Sequence, residues 1–427
     1  MRITEPSLLD RHAARLRGGA RLIRQVVAYL GPGFFVTVGF IDPGNWATNV
    51  AAGSENGYQL LWIVVLSTAI LILWQHMAAH LGIVTGRCLA ESIRENIRPW
   101  LTGIYGVTAM AAICATALAE LLGAAIGLYV LLRVPIAVGA ALAVMAAALI
   151  ISFQGYSKLE KIVVGFVSAI GVCYLIEMGM VHPNWGQAAH GMVVPHLDSG
   201  SILIAIAVLG AVVMPHNMYL HSEVIQNRQW KGKSDAQTRR LLRYEFVDTL
   251  VAMLVGLAIN AAMIIVAAAV FHRHGRHIGD LIQASDTLRP LAGDLASLVF
   301  GIGLLFAGFA SSVTAALAGG ITFTGYLGKD TCLESNWFRL GALLTLVPAY
   351  LLILAVKDSF GALIISQACL SVQLPLTMLP LFLLTASRRV MGVYANRWLE
   401  NALMIGSGVI VLALNALLLY TIMGGRF

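Results

Sequence analysis

Apolar residues in this chain gather into eleven stretches of about 20 residues, roughly at 31–55, 57–84, 101–131, 135–153, 160–181, 200–225, 246–271, 296–327, 338–356, 360–385 and 400–424. A helix of that length crosses the hydrocarbon core of a bilayer, so the pattern predicts an all-α polytopic membrane protein with eleven transmembrane helices. Two of the stretches are interrupted. "TVGFIDPGNWATNVAAGS" (Thr37 to Ser54) places Asp42, Pro43, Gly44 and Asn45 inside the first, and "AIAVLGAVVMPHNMYLHS" (Ala205 to Ser222) places Gly210, Pro215, His216 and Asn217 inside the sixth. Proline removes a backbone donor and clashes with the preceding turn, so helices one and six are expected to break near the midplane at Pro43, Gly44 and Pro215. Backbone left open at that depth survives only where it lines a site.

Breaks five spans apart match an inverted five-plus-five repeat of the LeuT-like kind, with one helix added. The expected organisation is a basic cytoplasmic tail at 1–30, a first five-helix repeat at 31–185, a second at 200–385, and an eleventh helix with a short external tail at 400–427.

Composition sets the same class. Of 427 residues 59% are hydrophobic and 11% charged, and the mean hydropathy is +0.81, more apolar surface than a soluble fold could bury. With the N-terminus inside, 22 of the 28 basic residues fall in inside segments. Only Arg133, Arg273, Arg276, Arg289, Lys357 and Arg426 fall outside, and none lies deep in a span. The positive-inside rule thus predicts an integral membrane protein with a cytoplasmic N-terminus and an external C-terminus, in the plasma (inner) membrane of a bacterium. The net charge of +7 reflects topology rather than nucleic-acid binding. Five scattered cysteines suggest neither disulfides nor a zinc site. No GxxxxGK[ST] loop occurs, so no nucleotide is expected to drive the protein, and no enzyme chemistry or resident cofactor is expected either.

Acids, unlike bases, do enter the spans: Asp42, Glu120 and Glu177 lie within apolar stretches, with Glu223 and Asp248 near their ends. An intramembrane carboxylate with no basic partner in the spans is a functional candidate. Where the two breaks face each other, the gap offers the Asp42 carboxylate, the Asn45 amide oxygen, carbonyls freed near Ala211, and the Met214 thioether. Hard oxygens suit many cations, whereas a thioether favours transition metals and gives nothing to calcium or magnesium. A methionine in a transmembrane helix is ordinarily packing; its place one residue before a helix-breaking proline makes Met214 a candidate ligand.

These residues carry a resemblance. "DPGNWATNVAAGS", "LGIVTGRCLAE", "ALAELLGAAIGL", "KLE", "MPHNMYLHS", "SQACLSVQLPLTMLPL" and "VMG" together resemble the Nramp family of divalent metal ion transporters, over nearly the whole chain. The resemblance implies a LeuT-type fold and metal coordination by Asp42, Asn45, the Ala211 carbonyl and Met214, with Gln373 of span ten joining in some states. It implies import of Mn²⁺ or Fe²⁺ as substrate by alternating access, with a co-transported proton. A related branch that moves magnesium or aluminium is marked by a changed methionine, and Met214 is present here.

The chain departs from that family along the proton route. "TALAE" puts Ala117 where an aspartate is usual while keeping Glu120, and "WFRLGALLTLVPAYLL" of span nine offers only Arg339. An acid and its basic partner are expected to disappear together, since an isolated buried charge is costly. Glu120 and His216 remain as proton-route candidates, imidazole titrating near neutral pH. His272, His274 and His277 in "FHRHGRH" read as a solvated outer loop, or as a weak metal-gathering patch. Other readings within the same fold are a Mg²⁺ or broad divalent cation transporter and an amino acid symporter; the latter suffers from an anionic Asp42 in the gap. A sensor would show a large soluble output domain, and the sequence has none.

Overall fold

The computed structural model describes residues 42–153, 178–179, 181–228, 234–276, 278–285 and 294–425. Among them there are helices, turns and loops but no strand. The helices that matter below are α1 (Pro43–Asn56), α2 (Leu61–Thr85), α3 (Leu89–Asn96), α4 (Pro99–Leu132), α5 (Ile136–Phe153), α6 (Trp185–Val193), α7 (Ile202–Val213), α8 (Pro215–Val224), α9 (Asp235–Val270), α10 (Asp294–Leu327), α11 (Asn336–Ala355), α12 (Ser359–Ala386) and α13 (Trp398–Ile422). Eight segments are long and apolar enough to cross a membrane, α7 and α8 counting as one, and α5 is a shorter apolar helix. The eight agree with the predicted spans two, three, six to eleven, while α5 occupies the place of span four. The tail at 1–30, the start of span one and nearly all of span five lie outside the described residues, with Cys173, Glu177 and His277.

Local sequence accounts for the helix ends. α1 begins on an aspartate cap followed by proline, the preferred order because proline's missing amide is an orphan there anyway. α1 and α2 stop at Gly57 and Gly86, both at positive φ. Two short helices, α3 and α6, were not expected from the apolar pattern, since each is shorter than a span and α3 is mostly polar. α3 is instead marked by a capping box: the Cys88 amide donates to Glu91 Oε2 at 2.8 Å, and the Glu91 amide to Cys88 Sγ at 3.5 Å. α9 starts eleven residues before the predicted span, as an amphipathic extension rich in arginine.

The helices pack in two groups. α1, α2, α7, α8 and α9 contact one another; α4, α5, α10 and α11 form the second set; α12 lies against α7 and α1 on one side and α4 on the other. α13 sits outside, against α12 and α7. Many apolar side chains of α11 and α13 are exposed, among them Leu351, Leu354, Ile405, Val409 and Leu412, as suits surfaces that face lipid. α1 is the opposite. Every residue from Pro43 to Ser54 is buried although the segment is rich in polar and small residues, and it is tied to α9 by Asn49 Nδ2 donating to Asn260 Oδ1 at 2.6 Å.

Polar links also hold α13. Asn415 Nδ2 donates to the Ser371 carbonyl at 2.9 Å, and Trp74 Nε1 donates to Ser407 Oγ at 3.0 Å, joining α13 to α12 and α2. Interhelical hydrogen bonds in membranes are worth about 0.6 kcal/mol on average, up to about 1.7. Asn415→Ala should therefore lower unfolding stability in detergent by about 1 kcal/mol. An unchanged melting curve would mean that apolar contact alone holds the last helix.

Candidate metal site at the helix breaks

The sixth-span break is where the sequence places it. α7 ends at Val213, α8 begins at Pro215, and Met214 between them has φ 41° and ψ 95°. Two effects of Pro215 combine. A residue before proline is pushed out of the right-handed helical region, and the Ala211 carbonyl, whose helical partner would be the amide of residue 215, has none there to accept from. Methionine at positive φ is strained by an amount of order 1–3 kcal/mol, and here it is fully buried.

The orphaned carbonyl finds its partner on α1. Asn45 Nδ2 donates to the Ala211 carbonyl at 2.8 Å and to Asp42 Oδ1 at 2.6 Å. Asp42 caps α1, Oδ1 accepting the Asn45 amide at 2.9 Å and Oδ2 the Gly44 amide at 3.3 Å. The Met214 thioether accepts from Asn217 Nδ2 at 3.4 Å. The structure thus joins Asp42, Asn45 and Ala211 directly, and sets Met214 on the same break three residues beyond Ala211. None of the four has solvent-accessible surface. Asn45 Oδ1 has no hydrogen-bond partner among the described residues.

Of the two span-ten glutamines, Gln367 is the one that meets the start of α1 and the α7–α8 break in this structure. A β-carbon on Gly44 would collide with the Gln367 side-chain amide, and one on Gly210 with the Gln367 carbonyl. Gln367 is therefore wedged between the start of α1 and the α7–α8 break, fully buried, with Oε1 unpartnered among the described residues. Gln373 lies six residues on, about 9 Å along the helix and about 120° around it, where Oε1 accepts from the Thr377 hydroxyl at 3.0 Å. Both glutamines stand in the quoted span-ten motif; what distinguishes them is which face of α12 meets glycine.

α4 packs against Pro43 at Gly123. One turn earlier Glu120 is fully buried, with neither carboxylate oxygen partnered among the described residues. Thr116, on the same face as Glu120, meets His216 Nδ1 at 3.3 Å, while His216 Nε2 has no partner. Ala117 is fully buried and Arg339 is exposed. No lysine or arginine is buried among the described residues, so none neutralises Glu120 from the core.

Two other candidates resolve into structure. Glu223 accepts from Thr331 Oγ1 at 2.8 Å and from Gln226 Nε2 at 3.0 Å. Its carboxylate, that of Glu91 and Cys88 Sγ lie within 4.8 Å of one another, but burial holds the Cys88 thiol well above its usual range. A protonated thiol is a poor metal ligand, and the group reads as the cap of α3. Of the outer-loop histidines, His272 Nδ1 meets the Ser54 carbonyl at 3.1 Å and His274 Nδ1 the Val270 carbonyl at 2.8 Å. His272 also lines a cavity of about 1220 Å³ shared with Tyr58, His182, His190 and Arg273.

Residues 33–421 match the family described as "Natural resistance-associated macrophage protein-like" (Nramp). The chain belongs to the Nramp family. It is 36% identical to the divalent metal cation transporter MntH of Granulibacter bethesdensis over 98% of this chain and 95% of the relative. Among solved structures it resembles the manganese transporter of Eremococcus coleocola, crystallised with an aromatic bis-isothiourea substituted compound, with a TM-score of 0.78, 27% identity, and coverage of 92% of this chain and 86% of that one. The nucleobase-cation-symport-1 transporter Mhp1, in a closed conformation, superposes with a TM-score of 0.59 at 15% identity over 92% of each chain, a likeness of fold alone.

Pro215→Ala tests the origin of the gap. The new amide should bond to the Ala211 carbonyl, release Met214 from positive φ and stabilise the fold by about 1–3 kcal/mol. Slow hydrogen exchange at residue 215 together with a raised melting temperature is the expected result. Fast exchange with unchanged stability would show that surrounding packing, not the proline, holds the break open.

Proposed function

We infer that this Nramp protein is a divalent metal cation transporter that imports transition metal ions, Mn²⁺ and Fe²⁺, by alternating access. The observation that carries this reading is the donor set gathered where the two breaks meet: the Asp42 carboxylate, the unpartnered Asn45 Oδ1, the Ala211 carbonyl orphaned by Pro215, and the Met214 thioether. One anionic oxygen, two neutral oxygens and one sulfur form an intermediate-softness set that suits a first-row divalent metal better than calcium or magnesium. Rotation of the Asn45 side chain would exchange its Nδ2 contacts for an oxygen facing the ion. Gln367 Oε1, also unpartnered, is a further oxygen donor in this arrangement, with Gln373 joining in other states. The names of the relatives support the same substrate class.

The reading includes an architecture of eleven helices in two inverted five-helix repeats, 31–185 and 200–385, plus a last helix. It places the protein in the inner membrane of a bacterium with its N-terminus cytoplasmic, on the asymmetry of lysine and arginine. With the gap closed to solvent, transport requires relative movement of the α1, α2, α7, α8, α9 group and the α4, α5, α10, α11 group, the ordinary way such folds expose a midplane site. Of the relay leading away from the gap, Glu120 and His216 remain as titratable members, because Ala117 and the exposed Arg339 leave the usual relay incomplete. Uptake is accordingly driven mainly by the membrane potential, about 2.3 kcal/mol per charge per 100 mV and roughly twice that for a divalent ion.

Three experiments in proteoliposomes test this. Asp42→Ala removes the single anionic donor and should abolish Mn²⁺ uptake, and substantial flux in that variant would sink the site. Met214→Ala should cost discrimination against Ca²⁺ more than it costs Mn²⁺ binding, since oxygen donors and water still hold a hard ion. If Ca²⁺ stays excluded as well as in the parent, size or hydration sets selectivity. In the same vesicles Mn²⁺ flux should rise with an inside-negative potential; a flux indifferent to voltage but proportional to lumenal acidification would show tight proton coupling instead.

A further inference from the structure

A second buried polar cluster lies away from the gap, between α2, α8 and α9. His76 Nδ1 meets Glu245 Oε2 at 2.6 Å, and the other Glu245 oxygen accepts from Thr249 Oγ1 at 2.8 Å. The His80 ring stacks on His76 with centroids 5.9 Å apart, and neither of its nitrogens has a partner among the described residues. His221 of α8 shares Nδ1 with Gln75 Oε1 at 3.0 Å and leaves Nε2 unpartnered, as Gln75 leaves Nε2. Glu245 is 3% exposed, His80 8% and His221 0%. Buried polar groups without partners call for a physical explanation.

The geometry favours a proton over a metal. Histidines at i and i+4 could chelate, but these two rings stack face to face instead of pointing nitrogens at a shared centre, and His76 Nδ1 is committed to Glu245. Among the described residues these side chains do not converge into a metal-sized group. A carboxylate and an imidazole at 2.6 Å share a proton, and the free nitrogens of His80 give it further positions to occupy.

The surroundings carry few other charges. Asp248, also of α9, is buried and already partnered. α8 brings His221 and Glu223, the latter held by Thr331 and Gln226. α13 brings Glu400 within electrostatic reach of His76. The turn Arg388–Met391 packs on α2 with both arginines exposed, and α7 presents no charged residue. Towards the near end of the bundle, Ile83, Ile225, Leu241 and Tyr244 form an apolar layer. His76 is about 14 Å along α2 from Thr85. All three helices belong to the same packed group, and His221 stands five residues beyond His216 on α8.

We propose that the His76–Glu245 pair, with His80 beside it, is a proton-binding site separate from the histidines of the sixth-span break and from Glu120, and that it contributes its own step to the pH dependence of metal transport. The second half of this statement rests on the transport reading above; the first does not. Exchange of the proton alters the contact that ties α2, which packs on α8, to α9, which packs on α1, and so biases how this group packs and moves.

The test uses the full chain, in detergent and in liposomes. The melting temperature of the purified parent should vary with pH between about 5 and 8, where histidine titrates. That variation should flatten in His76→Gln and in Glu245→Gln, and shift its midpoint in His80→Gln, which spares the pair. In liposomes held at a fixed potential with equal pH on both sides, the inflection of Mn²⁺ flux against pH should move with the same variants. Should one variant fail to fold, either of the others decides the matter. Melting curves and flux profiles that follow the parent in every folded variant overturn the proposal; altered melting with an unaltered flux profile overturns its second half. A parent that carries no Mn²⁺ at any pH overturns the transport reading, and the melting curves still decide the proton site.

Discussion

The missing amide of Pro215 is the constraint around which the rest is arranged. A membrane interior supplies no water to a stranded carbonyl, so the Ala211 oxygen must be met by protein or by a ligand. In this structure Asn45 meets it, and Asn45 is in turn held by Asp42, the cap of the neighbouring half-helix. One hydrogen-bonded side chain thereby couples the end of one helix to the start of another. Such contacts help explain why α1 can be buried on all sides while polar: its asparagines meet the Ala211 carbonyl on α7 and Asn260 on α9.

Glycine decides how close the surrounding helices come. Gly44 and Gly210 leave room for Gln367 between the breaks, and small residues elsewhere let backbones approach, as is usual where hydrophobicity gives no preference for helix over lipid. Around that core the chemistry is graded. The gap holds neutral and anionic donors, Glu120 and His216 lie one layer away on α4 and α8, and the His76–Glu245 cluster lies further along α8 and α2. Basic residues are kept to the surface throughout the described residues.

Much of this was legible in the sequence, because membrane spans and proline breaks announce themselves by composition. DPGN and MPHN sit in otherwise apolar runs, so Pro43 marks the start of α1 and Pro215 the break between α7 and α8, and among the described residues the span limits agree with the helices to within a few positions apart from the α9 extension. What was not legible depends on rotation about a helix axis. The resemblance implies Gln373 in "SQACLSVQLPLTMLPL", and that Gln367 also meets the site follows only from the glycines opposite it, on α1 and α7. The His76–Glu245 cluster was hidden for the same reason: its members are separated by more than 160 positions. α3 and α6 escaped because short helices outside the spans carry no apolar signature.

The burial of α1 bears on how the protein is made. It emerges early from the ribosome yet, between Pro43 and Ser54, offers a lipid environment two asparagines, a threonine and a serine, with little to hold it there alone. Its partner Asn260 follows Asn49 by 211 residues, which at roughly 5–20 residues per second corresponds to a delay on the order of ten to forty seconds. For that interval the segment must wait at the membrane surface, in the insertion machinery, or in an unfinished pairing. An early segment, α1 is therefore among the last to reach its final contacts, and substitutions on α9 or α12 will be felt during biogenesis as a failure to seat α1.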